Sequence, residues 1–71
     1  MQFDYSKLKG KIKEHFDTQR EFAELLNISK SSLSYKLNNL ICFTRKEILK
    51  SAELLKILIE EIGQYFFKIN V

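Results

Sequence analysis

A polar segment without acidic side chains, residues 29–39, has the residue types best suited to binding a partner. It reads SKSSLSYKLNN, with four serines, two lysines and two asparagines. Hydroxyl and amide groups form hydrogen bonds to phosphates and to the edges of bases, and lysines neutralise phosphate charge. Two more cations, Arg45 and Lys46, precede the next acid, Glu47. The segment therefore indicates binding to an acidic macromolecule.

Patterns for catalysis or metal binding are missing from the sequence. It has one histidine, His15, and one cysteine, Cys42, which is too few for the usual ligand set of a zinc site. We find no glycine-rich phosphate loop and no nucleophile paired with a histidine. We therefore expect no enzymatic activity, no cofactor and no metal, and we expect Cys42 to be a small buried residue.

The size and composition of the chain set its expected organisation and surroundings. With 71 residues, 45% of them hydrophobic, and a net charge of +3, residues 1–71 form one domain near the lower size limit for a stable core. No apolar run approaches the roughly 20 residues that cross a bilayer, so we expect no membrane contact. A lone cysteine forms no internal disulfide, and we expect a reducing, cytoplasmic setting.

Helical spacing of apolar residues dominates the N-terminal part of the chain. From Tyr5 to Phe16 these residues recur every three or four positions, as on one face of a helix. Asp4 is the predicted N-cap of this helix. Lysines at alternate positions from 7 to 13 would also fit a strand. The apolar series extends beyond that alternation on both sides, and this favours the helix.

Two capping boxes predict where further helices begin. Thr18 is followed three residues later by Glu21, and Thr44 is followed by Glu47 in the same way; this spacing is typical of helix starts. The first box opens a short helix that we expect to end at Asn27, because asparagine tolerates the left-handed backbone used to end helices.

A helix-turn-helix unit is the predicted arrangement of residues 18–38. Ser29 caps its second helix, residues 29–37, in which Leu33 and Leu37 face the core. Two short helices joined by a tight turn are the geometry that places a helix in a DNA major groove. The residues expected to face outward are Lys30, Ser31, Ser34 and Tyr35, with Ser32 and Lys36 on their flanks.

The expected fold class is all-α, with four or five short helices. Residues 57–71 contain nine apolar residues, too many for one face of one solvated helix. Either a break near residues 56–59 starts a fifth helix, or the fourth helix runs on to Tyr65. We expect part of the aromatic group at residues 65–67, within the 57–71 segment, to lie in a dimer or partner contact.

Several motifs of the chain resemble those of a known family. They are Gln19, Ala23, Asn27, Ile28, Leu33 with Ser34, and Asn38, together with the stretches FDYSKLKG, LSYKLNN and EEIGQYFF. They look like the lambda-repressor-like helix-turn-helix of Cro and related phage repressors, and more narrowly like small Cro-like regulators of phages from Gram-positive bacteria. The resemblance implies a five-helix domain in the bacterial cytoplasm that binds operator DNA as a dimer.

The resemblance also implies roles for single residues. Lys36 takes a position that is often apolar in that family, which leaves Leu37 as the inward anchor. Independently of the resemblance, Arg45 and Lys46 stand at a helix start, where an arriving phosphate would offset the unfavourable interaction of their charges with the helix dipole; an ordinary exposed pair fits these positions equally well. The residues implied to touch phosphates are Gln19, Ser32 and Asn38, and those implied to face bases are Lys30, Ser31 and Tyr35.

Two functions fit these observations. The first is a transcriptional regulator of a lysogeny switch, which binds double-stranded operator DNA through the helix at 29–37. The alternative is an antirepressor or modulator that binds the opposing phage repressor protein through the same helix-turn-helix surface, with Tyr35 as the anchor. The resemblance favours operator binding. The modest charge of +3, the short serines and the apolar C-terminal end favour the alternative.

Overall fold

Five α-helices make up the chain in the computed structural model, which describes residues 2–69. The expected all-α class is confirmed, because these residues contain no strand beyond an isolated antiparallel bridge between Phe3 and Ile69. None of the described helices is long and apolar enough to cross a membrane. The helices are α1 (Ser6–His15), α2 (Gln19–Leu25), α3 (Lys30–Leu37), α4 (Arg45–Leu55) and α5 (Ile62–Phe66), and a 3-10 turn, Ile59–Glu61, leads into α5.

The predicted capping residues begin α2 and α4. The Thr18 hydroxyl accepts a hydrogen bond from the Glu21 backbone N–H at 3.3 Å. In α4 both halves of the capping box are present. The Thr44 hydroxyl accepts from the Glu47 N–H at 3.2 Å, and the Glu47 carboxylate accepts from the Thr44 N–H at 2.9 Å. These bonds satisfy N–H groups that have no partner within the helix, so the sequence signal and the helix start coincide.

The first helix begins one residue later than predicted. Its N-cap is Tyr5, which makes no capping hydrogen bond through its side chain and is buried. Asp4 lies just outside the helix, where its carboxylate accepts a hydrogen bond from the Ser6 N–H at 2.9 Å. The prediction of Asp4 as the N-cap is therefore wrong by one position, although its carboxylate does hold the first turn.

Three helices end in a left-handed residue that is not glycine. The φ angles of Asn27, Asn39 and Lys56 are 63°, 64° and 56°. In each case the next backbone N–H bonds to the carbonyl five residues earlier, which is the bond that defines the Schellman motif. The predicted end of α2 at Asn27 is confirmed.

Lys56 decides between the two alternatives for the C-terminal part. Its left-handed backbone ends α4, and the Ile57 N–H bonds to the Ala52 carbonyl at 2.8 Å. A left-handed backbone costs a residue with a side chain roughly 1–2 kcal/mol. The chain therefore breaks after Leu55, and α5 is a separate helix.

The helices share one hydrophobic core. Helix α3 packs chiefly on α2, while α1 contacts α2, α4 and α5. In the loop between α3 and α4, the Phe43 ring packs edge-on against Tyr5 and Phe66, with centroids 5.5 and 5.2 Å apart. These contacts connect that loop to the core. The largest fully buried side chains are Phe22, Phe66, Leu8, Ile12, Leu33 and Leu55.

Asn39 connects the end of α3 to the N-terminal segment. Its side-chain amide accepts a hydrogen bond from the Phe3 N–H at 2.9 Å and donates one to the Phe3 carbonyl at 3.0 Å. Next to Phe3, the Asp4 N–H donates to the Lys68 carbonyl at 2.7 Å. The amide of Asn39 thus pairs with Phe3 as a neighbouring strand would, and it anchors the C-terminal end of α3.

Candidate functional site

Helix α3 exposes a polar face between its two caps. The hydroxyl of Ser29 accepts a hydrogen bond from the Ser32 N–H at 3.0 Å and starts the helix. Leu33 and Leu37 are buried in the core as predicted, and this fixes which side of the helix faces outward. A shallow, open depression on α3, which we call the α3 face, is lined by Lys30, Ser31, Ser34 and Tyr35.

Tyr35 is the largest group on the α3 face. Its side chain is 49% exposed. Lys30 and Ser31 beside it are exposed, and Ser34 is half-buried. A phenol held on a helix offers an apolar ring together with a hydroxyl that forms hydrogen bonds. The structure thus brings together the four residues that were predicted to face outward.

Two residues that were assigned to phosphates form hydrogen bonds at the ends of α3 itself. Ser32 is half-buried, and its hydroxyl oxygen lies 3.0 Å from that of Ser29. The side-chain amide of Asn38 donates to the Ser34 carbonyl at 2.8 Å. These bonds help to cap the helix, so a ligand would have to compete with them. Phosphate contact by Ser32 and Asn38 stays a prediction.

Gln19 and Arg45 lie outside the α3 face. Gln19 is half-buried at the start of α2 and borders a different depression, which it shares with Lys9 and Lys13 of α1. Arg45 is exposed at the start of α4. The structure therefore spreads the predicted site over α3 and the starts of α2 and α4, and phosphate contact by Gln19 and Arg45 also stays a prediction.

The prediction that Lys36 flanks the exposed face is wrong. Its side chain is only 7% exposed, and its ammonium lies 3.0 Å from the Glu47 carboxylate. It also donates a hydrogen bond to the Cys42 carbonyl at 3.1 Å and lies 6.0 Å from the centroid of the Phe43 ring. Lys36 therefore points inward beside Leu37, which is not the lone inward anchor at this end of α3.

Glu47 is held as a carboxylate at the start of α4. Its side chain is 16% exposed. Burial by itself raises the pKa of Glu47, but the hydrogen bond from the Thr44 N–H and the hydrogen bond and charge of Lys36 outweigh this effect. The pKa of Glu47 therefore lies below its ordinary value. The ion pair connects α3 to α4 and leaves Lys36 no free charge for a ligand.

Leu40 and Ile41 follow the two asparagines that end α3, and the sequence alone does not assign them to the site. They are 71% and 46% exposed. The Leu40 N–H bonds to the Tyr35 carbonyl at 2.8 Å, and this motif commonly brings the two side chains at these positions together. We call Tyr35, Leu40 and Ile41 the apolar patch. The available signal was an apolar run directly after two asparagines.

Cys42 is exposed, so its predicted burial is wrong. The loop turns the side chain of the next residue, Phe43, toward the core, where it contacts Tyr5 and Phe66. Within residues 2–69, no three His, Cys, Asp or Glu side chains come together to hold a metal ion.

Three cations near α3 have no acidic partner within the described part of the chain. Lys30 is the first residue of α3, and Arg45 and Lys46 are the first two residues of α4. The ion pairs found in residues 2–69 all involve other groups. Because α3 contains no acid, no residue of α3 itself offsets these charges.

A second group of exposed apolar residues lies around α5. Leu58, Ile59 and Phe67 are all exposed, whereas Tyr65 and Phe66 are buried. Two members of the predicted aromatic group thus belong to the core. The third, Phe67, packs at the surface against Phe3, with ring centroids 5.8 Å apart. A dimer or partner contact through residues 57–71 stays a prediction, and residues 70 and 71 lie outside the described ones.

Five short helices pack around one core, and α2 and α3 are joined by a tight turn at Asn27. Helix α3 carries an exposed polar face, and the whole defines a small all-α protein. The chain belongs to the family described as "Protein of unknown function (DUF739)", whose sequence profile matches residues 1–69. The resemblance to Cro-type regulators stays a prediction beside this family match. No curated protein matches the chain.

A solved structure of another protein is similar over almost the whole chain. It is the solution structure of the modulator of repression (MOR) of the temperate bacteriophage TP901-1 from Lactococcus lactis. The two sequences are 39% identical, the match covers 99% of this chain and 97% of that chain, and the TM-score is 0.80. The likeness therefore extends over the described fold.

Proposed function

We propose that this protein is a phage regulatory protein that modulates repression by binding a phage repressor protein. The observation that carries the proposal is the 39% identity over 99% of the chain to a modulator of repression. Such a protein works by recognition and needs no catalytic group. Among the two functions considered from the sequence, this similarity favours the alternative over operator binding.

The α3 face and the apolar patch are the proposed contact surface for the repressor. Tyr35 belongs to both, and Leu40 and Ile41 extend the apolar area beyond the end of α3. Side chains at the centre of protein interfaces are often aromatic, and truncating such an anchor costs about 2 kcal/mol or more. Tyr35 is therefore the proposed anchor of the complex.

Operator DNA is the second candidate ligand, and the unpaired cations favour it. Of the four cations between residues 30 and 46, Lys36 is taken up by Glu47, which leaves Lys30, Arg45 and Lys46. Three phosphate contacts would give a log–log salt slope of about −2.7 for one protein molecule. A dimer bound to the operator would double this slope.

The test is a titration of the purified protein against the purified repressor of the same phage and, separately, against its operator duplex. We expect stoichiometric binding to the repressor, and Tyr35→Ala should weaken it by roughly 30-fold or more. Leu40→Ser should also weaken it, while Leu25→Ser serves as the matched control, since Leu25 is also exposed but belongs to α2 and to neither of the predicted contact surfaces.

Two results would contradict the proposal. One is a complex with the repressor that forms equally well with Tyr35→Ala, Leu40→Ser and the control. The other is no binding to the repressor but tight binding to the operator duplex, which would favour the DNA-binding function. Sedimentation of the free protein, run in parallel, measures whether it is a dimer.

A further inference from the structure

The cations near α3 occupy positions that do not favour helix stability. Lys30 is at the first position of α3, and Arg45 and Lys46 are at the first two positions of α4. A positive charge there opposes the helix dipole and costs about 0.3–1 kcal/mol. The first turn of α3 contains no acid that would compensate, whereas the first turn of α4 contains Glu47, which is paired with Lys36. These charges therefore do not stabilise the fold, and we look for their role in binding a partner.

The apolar patch lies between these cations along the chain. Lys30 lines the same depression as Tyr35, and Leu40 is bonded to the turn that carries Tyr35. The pair Lys36 and Glu47, with an N–O distance of 3.0 Å, holds the start of α4 near the end of α3. The exposed apolar area and the unpaired positive charges thus belong to one region of the molecule.

An apolar area with cations beside it suits a protein better than a nucleic acid. Phosphates could pair with the cations, but a sugar–phosphate backbone would leave Leu40, which is 71% exposed, against charged groups. A protein surface can offer an apolar recess and carboxylates together, and complementary charge at the edge of an interface speeds association and selects the partner.

We infer that the repressor surface bound by this protein is an apolar recess bordered by acidic side chains. The recess receives Tyr35 and Leu40, and the carboxylates pair with Lys30, Arg45 and Lys46. The inference rests on the proposed function and specifies the partner's chemistry.

The test uses charge reversal in the full-length chain. Lys30→Glu and Arg45→Glu place an acid at a helix start, where it interacts favourably with the dipole, so both variants should fold. Lys9→Glu is the matched control, because Lys9 is exposed in the middle of α1 and its reversal changes the net charge equally. Affinity for the purified repressor is measured at low and high salt, and melting curves check the fold.

We expect each of the two reversals to weaken repressor binding about tenfold and to reduce its salt dependence, while Lys9→Glu changes it less than twofold. Lysine substitution of one acidic residue on the repressor should restore binding of a reversal variant. If the reversals bind as the control does while Tyr35→Ala still loses binding, the inference is wrong and the proposed function stands. If wild-type protein binds only the operator duplex, both fail.

Discussion

The ion pair between Lys36 and Glu47 predicts an unequal response to removing either charge. Lys36 is 7% exposed and Glu47 is 16% exposed. In Glu47→Gln, the amide can still accept the capping hydrogen bond from Thr44, but the Lys36 ammonium keeps only neutral partners in a nearly dry site. Breaking a buried pair in this way costs about 3–5 kcal/mol. Because Glu47 retains some contact with water, we expect about 2–3 kcal/mol.

The opposite substitution should cost less. Lys36→Met leaves a carboxylate that is closer to water and still bonded to the Thr44 N–H at 2.9 Å, so we expect a loss of about 1–2 kcal/mol. The double variant Lys36→Met with Glu47→Gln buries no charge and should lie within about 1 kcal/mol of the wild type. The two single effects would then not add, as expected for residues in contact.

The assay is thermal and urea unfolding of the four proteins at neutral pH. A loss of 2–3 kcal/mol in a domain of this size lowers Tm by roughly 8–24 °C. A coupling free energy close to zero, with equal single effects that sum to the double effect, would refute the assignment of Lys36 and Glu47 as a buried pair.

The pair of Lys36 and Glu47 also determines how the stability of the fold changes with pH. The pKa of Glu47 in the folded protein lies below its ordinary value of 4.5, so the unfolded chain takes up the proton first as the pH falls. The stabilisation from this group is complete above the ordinary pKa and is lost as the pH falls through the folded value. Lys36→Met should therefore flatten the acid limb of the stability curve.

Two further predictions concern the left-handed residues. Asn39→Gly keeps the left-handed turn but removes both hydrogen bonds to Phe3, so the free energy of unfolding should fall by about 1–2 kcal/mol. Asn39→Ala should lose more stability, because alanine is also strained in this backbone conformation. Urea unfolding measures both variants, and equal losses would show that strain contributes nothing. Lys56→Gly should leave stability unchanged or raise it by up to about 1 kcal/mol, because glycine adopts this backbone without strain; a clear drop in Tm would mean that the lysine side chain stabilises the break.

Local sequence signals predict most of the fold. The hydroxyl caps at Thr18 and Thr44 act within three residues, so sequence spacing alone placed the starts of α2 and α4. Asn27 was identified in the same way from its tolerance of a left-handed backbone. The end of α4 was harder, because Lys56 adopts a conformation that its residue type disfavours, and only the packing on both sides forces it.

The errors in the site arise from contacts between distant parts of the chain. A helical pattern places Lys36 next to Leu37 but does not show that Glu47, eleven positions away, lies 3.0 Å from its ammonium. The contact between Asn39 and Phe3 spans 36 positions, and no local sequence pattern predicts it. The exposure of Leu40 is hard to predict for a related reason. In the loop between α3 and α4, it is Phe43 that packs against the core, and Leu40 and Ile41 before it stay exposed.

The exposed thiol of Cys42 makes this protein convenient for spectroscopy. It is the chain's one cysteine, and it follows Ile41 directly. A maleimide dye or a nitroxide label would therefore attach at a single defined position beside Ile41 without any engineered substitution. A change in dye anisotropy or in label mobility on adding a partner would report docking at this edge of the molecule directly.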